Sequence, residues 1–354
     1  MDYCFYSLSI PIEGFLRTAV YDLQTNDYFF VNNGIQEMVI NTEESETIQQ
    51  LIKERAIFEK PRQVAVSPIS IEEYDYPSLV SNAIIEVDGS STITELLNRL
   101  EMVNCYNVQW VYKGQSKDLY QFLENSINEI RHSPIKYCEI VLNEKDFNNV
   151  RPLLTRKGFP ELGLIFLHSA NSCSYLTANS ERPHVICFDS DGSYDTHQYD
   201  KSIHFFVVNY LLYTESLRYN SYYNRKIFIN LQGDVSVGPL SNKFLGNLYE
   251  QGFDWNTVLK QKDIKVIWEL HKDKISVCKN CEFRHMCVDS RIPKKHSDGT
   301  EWYHNTECNY NPFIAKWKGE QGYKTLSESG IKVEEKGLSI DYEILNSVLS
   351  ELYM

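Results

Sequence analysis

Short apolar runs alternate with polar breaks over the first sixty residues. Residues 5–11, 18–23 and 28–31 predict strands, joined by turns at Glu13-Gly14 and Asn26-Asp27. Helix-like stretches follow at 36–40 and 46–58, the second with Ile48, Leu51, Ile52 and Ala56 at helical spacing. Strands followed by helices over this length predict a small winged-helix-like unit. Pro61 and Pro68 lie in a stretch without periodicity that reads as a linker.

From residue 78 the pattern changes. The apolar run at 82–87 is rich in β-branched residues. Ser91 then stands as an N-cap before Ile93, Leu96, Leu97 and Leu100, which share one helical face. A strand at 108–112 precedes a second striped helix, carried by Leu119, Phe122, Leu123, Ile127 and Ile130. The series continues with strands at 137–142, 162–167 and 184–188, with a helix predicted to run up to Gly158. Such alternation predicts an α/β fold with a parallel sheet, open or curled into a partial barrel. Beyond residue 225 the pattern is irregular: a hairpin at 226–237, short helices at 254–259 and 264–271, then an aromatic stretch after Pro312. A final amphipathic helix places Ile340, Ile344, Leu345, Val348, Leu349 and Leu352 on one side.

Length and charge narrow the picture. A chain of 354 residues predicts two domains, or one large domain with an appendage. No stretch approaches ~18 uninterrupted apolar residues, and the first residues lack the basic and apolar regions of a secretion signal, so a cytoplasmic protein is expected. The net charge of −13, with Lys294-Lys295 as the longest basic run, disfavours nucleic acid and anionic membranes as partners. No G-x-S-x-G, Walker A or G-x-G-x-x-G occurs.

Nine cysteines are too few for a disulfide framework in so long a chain. Cys4, Cys105, Cys138, Cys173 and Cys187 are scattered and read as small buried hydrophobes. Cys278, Cys281, Cys287 and Cys308 are not scattered: they form C-x2-C-x5-C-x20-C. A C-x2-C turn aims two thiolates at one centre, and two more complete a tetrahedral shell for zinc or for an iron–sulfur cluster. Spacing leaves iron and zinc open. Lys272, Lys274, Lys279 and Arg284 lie close in sequence, where positive charge would lower the thiol pKa values and offset a thiolate site.

The wording Cys278-Lys-Asn-Cys281-Glu-Phe-Arg-His-Met-Cys287-Val-Asp, with Cys308-Asn-Tyr-Asn-Pro312 downstream, resembles the SPASM domain of peptide-maturing radical SAM enzymes. The segment from Lys226 to Gly233, followed by Gly246-Asn247, is similar to the entry hairpin and Gly-Asn turn of that domain. Within the family the motif is closest to SPASM maturases that work beside an ATP-grasp ligase in grasp-with-spasm peptide modification. The specific match covers residues 222–313.

The resemblance implies a degenerate radical-SAM-like partial barrel, a winged-helix-like N-terminal unit and an irregular C-terminal SPASM domain. The implied boundaries are 1–75, 76–221, 222–320 and a C-terminal extension at 321–354. It makes Cys278, Cys281, Cys287 and Cys308 the ligands of one [4Fe–4S] cluster, with Zn²⁺ the alternative. The cysteine of a usual further cluster is replaced at Gly238, and Ser290 stands where another is usual. The radical SAM triplet C-x3-C-x2-C is also missing, so no S-adenosylmethionine is expected.

The implied partners are a precursor peptide and the ATP-grasp ligase. The N-terminal unit would take the peptide as an added strand on 28–31, with 36–40 as a groove helix, or would simply cap the barrel. The implied function is accessory maturation of a ribosomally made peptide, by binding or presenting it. The alternatives are a maturase catalytic on its own, and a zinc-stapled interaction protein. No acid–base constellation is visible, so no catalytic residue is named.

Weaker signals point to packing. Asp189 to Asp195 echoes a calcium loop, but its glycine is misplaced and it reads as a strand-ending turn. His285, His296 and His304 lie near the cysteines but are not needed beside four thiolates. Tyr219, Tyr222 and Tyr223 read as core or as a peptide groove.

Overall fold

The computed structural model describes residues 3–35, 39, 45–59, 76–143, 145–147, 162–169, 184–189, 205–239, 241, 243–297, 299 and 301–353. The proposed linker prolines, most of the groove helix at 36–40, most of the helix up to Gly158, Cys173 and the turn after Asp189 lie outside these residues. Two compact units emerge, each assembled from separated segments. One comprises Met1–Tyr74, Lys201–Tyr222 and Glu269–Met354; the other comprises Asp75–Asp200 and Tyr223–Trp268. They cut across the four consecutive segments expected from sequence.

The second unit is the α/β part. Strands Asn82–Val87, Asn107–Tyr112, Tyr137–Asn143, Leu162–Ser169 and His184–Asp189 lie side by side in chain order, all parallel. Lys226–Ile229 joins the same sheet on the open side of Asn82–Val87, also parallel, with Phe228 opposite Ile84. Asp234–Ser236 and Gly246–Asn247 then extend it antiparallel. The segment read as a SPASM entry hairpin is therefore also a strand of the main sheet. Its run Ile227-Phe228-Ile229 is fully apolar because such a strand is buried on both faces.

One face of this sheet carries two helices, Ile93–Glu101 and Ser116–Arg131, whose apolar stripes are buried as predicted. Trp110 meets Phe122 edge-on, with ring centroids 6.3 Å apart, and Tyr112 lies against the same ring. Ser91 does not cap the first helix: its hydroxyl accepts from the Asp88 amide at 2.9 Å, and Thr92 holds the cap position. The opposite face is mixed: Ile84, Val111, Val141 and Phe228 are buried on it, and Gln109 donates to Glu139 at 2.6 Å across neighbouring strands.

In the first unit, Ser9–Glu13, Arg17–Asp22 and Asp27–Asn32 form an antiparallel meander with Arg17–Asp22 in the middle. Thr18, Ala19, Val20 and Tyr21 are all buried, so both faces of this strand are covered. Val20, Phe29 and Val31 face the helix Glu46–Lys53 through Ile48 and Leu51. Ala19, Tyr21, Tyr28 and Phe30 face the cysteine segment through Phe283 and Met286.

The helix predicted to reach residue 58 ends at Lys53. Arg55 turns left-handed (φ 55°), and Ile57–Glu59 becomes a strand paired with Tyr3–Phe5. The single run predicted at 5–11 is divided between Tyr3–Phe5 and Ser9–Glu13. At the far end of the sequence, the hairpin Ile331–Glu334/Gly337–Ile340 and the helix Tyr342–Tyr353 close a third small core around Phe313, Ile314, Leu345 and Val348. No helix among the described residues is long and apolar enough to cross a membrane.

Candidate metal centre

The chain turns tightly through the cysteine segment. Cys278 begins a single 3-10 turn, the Cys281 amide donates to the Cys278 carbonyl at 3.0 Å, and the Cys287 amide donates to the Phe283 carbonyl at 2.9 Å. Cys287–Val288 pairs with Phe205–Phe206. Cys308 is brought in just before Tyr310–Asn311, whose partner strand is Lys316–Trp317. All four cysteines line one cavity of about 610 Å³. Its apolar side is an aromatic group in which Tyr310 meets Trp317 at 4.7 Å and Phe283 at 5.0 Å between ring centroids.

One sulfur accepts a backbone hydrogen bond from the residue two positions on: Tyr310 N–H donates to Cys308 Sγ at 3.3 Å. Such bonds stabilise thiolate over thiol and are one of the levers that set cluster potentials.

Burial pushes all four thiols up, Cys308 to about 11 and Cys281 well above its ordinary range. Without a metal these side chains are protonated at neutral pH; a cation in the cavity would reverse that. The cations facing the sulfurs differ from those expected. Lys274 is exposed, Lys279 pairs with Glu301, and Arg284 pairs with Asp273 at 2.8 Å. Lys272 and Arg291 take the role instead.

Lys272 is buried and its Nζ donates to Ser221 Oγ at 3.2 Å. Burial pulls its pKa down, but the fields of Cys287, Asp289 and Cys278 outweigh that and hold it up. Arg291 forks onto Asp289 at 2.6–3.1 Å and donates to the Thr306 carbonyl at 2.7 Å, with its charge toward Cys308 and Cys278. The tightest set of ligand atoms among the described residues is not all-cysteine: one atom each of Cys278, Asp289 and His304 lie within 4.8 Å of one another. His304 was discounted from sequence, and Asp289 and Arg291 carried no ligand-like spacing.

The other two histidines are packed away from the sulfurs. His285 stands between Ser216 Oγ at 3.0 Å and Asp273 at 3.7 Å; burial lowers its pKa to about 4. His296 stacks on Tyr303 and meets Ser276 Oγ at 2.8 Å. Tyr223 is fully buried, and Cys105 and Cys138 are buried as expected of small hydrophobes. Comparison with known protein families, curated proteins and solved structures found no match.

Proposed function

We propose that the protein is an accessory factor in maturing a ribosomally made peptide beside an ATP-grasp ligase. Cys278, Cys281, Cys287 and Cys308 would hold one [4Fe–4S] cluster. The observation that carries this is the shared cavity: four cysteines distant by up to thirty positions line one space beside two buried cations. The motif's SPASM-like wording supplies the peptide-maturation context. Bound through four thiolates with no open iron, such a cluster offers a structural staple or a one-electron carrier. Lys272 and Arg291 offset the net negative charge of the thiolates, and the Tyr310 amide directed at Cys308 Sγ fixes that sulfur's orientation. The edge position of Asp27–Asn32 supports the peptide-docking part of the reading, since one side of that strand pairs with Arg17–Asp22 and it is last in its sheet.

A zinc-stapled scaffold is the second reading, favoured by the compact Cys278, Asp289 and His304 group. Thiolates at ~2.3 Å from zinc stand about 3.8 Å apart, so a zinc site is narrow. Two features weigh against it: both Asp289 oxygens already accept from Arg291, and the cavity is far larger than one ion needs.

Two measurements test the proposal. Anaerobic purification from iron-replete cells should give about four irons and four sulfides per chain with a broad visible absorption; one zinc and no iron would favour the scaffold. Precursor peptide and ATP-grasp ligase encoded beside the gene should react faster with this protein present. No change in ligase turnover and no precursor binding would sink the maturation role, whatever the metal.

A further inference from the structure

The C-x2-C loop does not stand alone. Its residues 280–284 are held by a sheet encoded more than 250 positions earlier. The Phe15 amide donates to the Asn280 carbonyl at 2.8 Å, and Arg284 Nη1 donates to the Glu13 carbonyl at 2.7 Å. Tyr21 Oη donates to the Glu282 carbonyl at 2.5 Å. Arg17 Nε meets Glu282 Oε1 at 2.6 Å, and the same oxygen accepts from Tyr310 Oη at 2.5 Å. Arg17 also reaches Tyr310 Oη at 3.2 Å while its guanidinium lies 3.6 Å above the Phe30 ring.

Glu282 is thus a carboxylate with about 1% of its side chain exposed, placed directly after Cys281 and linked through Tyr310 to the strand that follows Cys308. The sheet comes close enough to leave no slack: a Cβ on Gly14 would stand 2.8 Å from Glu282 Oε2 and 2.9 Å from its amide nitrogen.

We propose that Arg17 and Tyr21, acting through Glu282, are positioning residues of the metal centre: the meander is the rigid support that holds the Cys281 arm against the Cys308 arm. Resting on the reading of the four cysteines as ligands, this extends the site to a sheet that carries no ligand. Glu282 is the joint because it joins both cysteine arms and the sheet at one carboxylate. Loop ligands left without such support are held too loosely to keep a metal against competitors. The support is electrostatic as well as steric: Glu282 adds negative charge beside Cys281, and Arg17 offsets it.

The test uses the full chain, purified anaerobically with its metal, in four variants: Arg17→Met, Arg17→Lys, Glu282→Gln and Gly14→Ala. Metal transfer to an excess of EDTA is followed by absorption, together with the midpoint potential. Arg17→Met, Glu282→Gln and Gly14→Ala should each lose metal at least several-fold faster than wild type, with Arg17→Lys recovering most of the retention. Removing the Arg17 charge should lower the potential, and removing the Glu282 charge should raise it; simple loosening would move both the same way. Amide exchange in the helices at residues 46–53 and 342–353, which belong to the same unit as the substitutions, shows whether each variant is folded. Unchanged loss rates in folded variants overturn the proposal, as do potential shifts of the same sign. For a zinc-loaded chain the same variants are compared by zinc transfer to a chromogenic chelator in place of EDTA. A wild-type chain that holds neither iron nor zinc overturns the ligand reading and this proposal together, before any variant is compared.

Discussion

Single side chains here show charge carried where burial makes it costly. Glu139 is half-buried on the sheet face that also carries Ile84, Val111 and Phe228, and burial raises its pKa despite the Gln109 hydrogen bond and the field of Lys226. A carboxyl with a raised folded pKa binds more protons folded than unfolded at pH values just above its ordinary range. Stability therefore increases as pH falls toward that range. Glu139→Gln should raise the melting temperature at pH 7, with the gain shrinking as pH is lowered toward ~4.5; a lowered melting temperature at pH 7 would show that the ionised form is favoured.

Cys281→Ala or Cys308→Ala should abolish metal retention, because each removes one of the four cysteines proposed as ligands, all of which line one cavity. Full metal content in either variant would remove it from the ligand set. Spacing alone singled out the four cysteines, and they line one cavity. Asp289, Arg291 and His304 were not, since no interval marks a second layer. Only folding shows that Lys272 faces the sulfurs while Lys279, beside Cys278, turns to Glu301.

Regular elements followed the hydrophobic pattern where packing agreed with it. The helices Ile93–Glu101 and Ser116–Arg131 bury the residues their period selects, because each lays one stripe on a sheet. The pattern failed where a long-range partner decided the outcome. The helix expected over 46–58 stops at Lys53, and Ile57–Glu59 instead pairs with Tyr3–Phe5. Likewise the two-sided burial of Lys226–Ile229 reflects a parallel neighbour some 140 residues earlier, which no local signal announces.

Element ends offer direct tests. Gly330 closes a 3-10 turn with φ +79°, and a Cβ there would stand 2.7 Å from the Asp341 carbonyl oxygen. Gly330→Ala should cost at least about 1 kcal/mol, read from chemical denaturation, since the left-handed region alone disfavours a side chain by that amount. Asp254 accepts from the Asn256 and Thr257 amides at the start of Trp255–Leu259; Asp254→Ala should lower the denaturation midpoint, because two amides at the helix start lose their acceptor.

At the scale of the chain, the two units predict two responses to metal removal. The cysteine segment shares an apolar core with the meander, so stripping the metal should raise amide exchange in residues 9–32 and 272–317. The parallel strands at 82–87, 107–112 and 137–143 belong to the other unit and should keep their protection. Uniform loss of protection across both units would mean that they unfold as one.

The meander also imposes an order on biogenesis. Its loop-facing side, with Tyr21, Tyr28 and Phe30, emerges from the ribosome some 250 residues ahead of Glu282 and Phe283, which cover it. At ~5–20 residues per second, that delay is on the order of tens of seconds. Throughout it, an aromatic surface on a nascent strand faces water or a chaperone, and the first cysteine of the C-x2-C turn has not yet been made. Any metal taken up at the proposed site would therefore be loaded late, and a ribosome stalled before residue 280 would leave a chain whose first sheet has nothing to close upon.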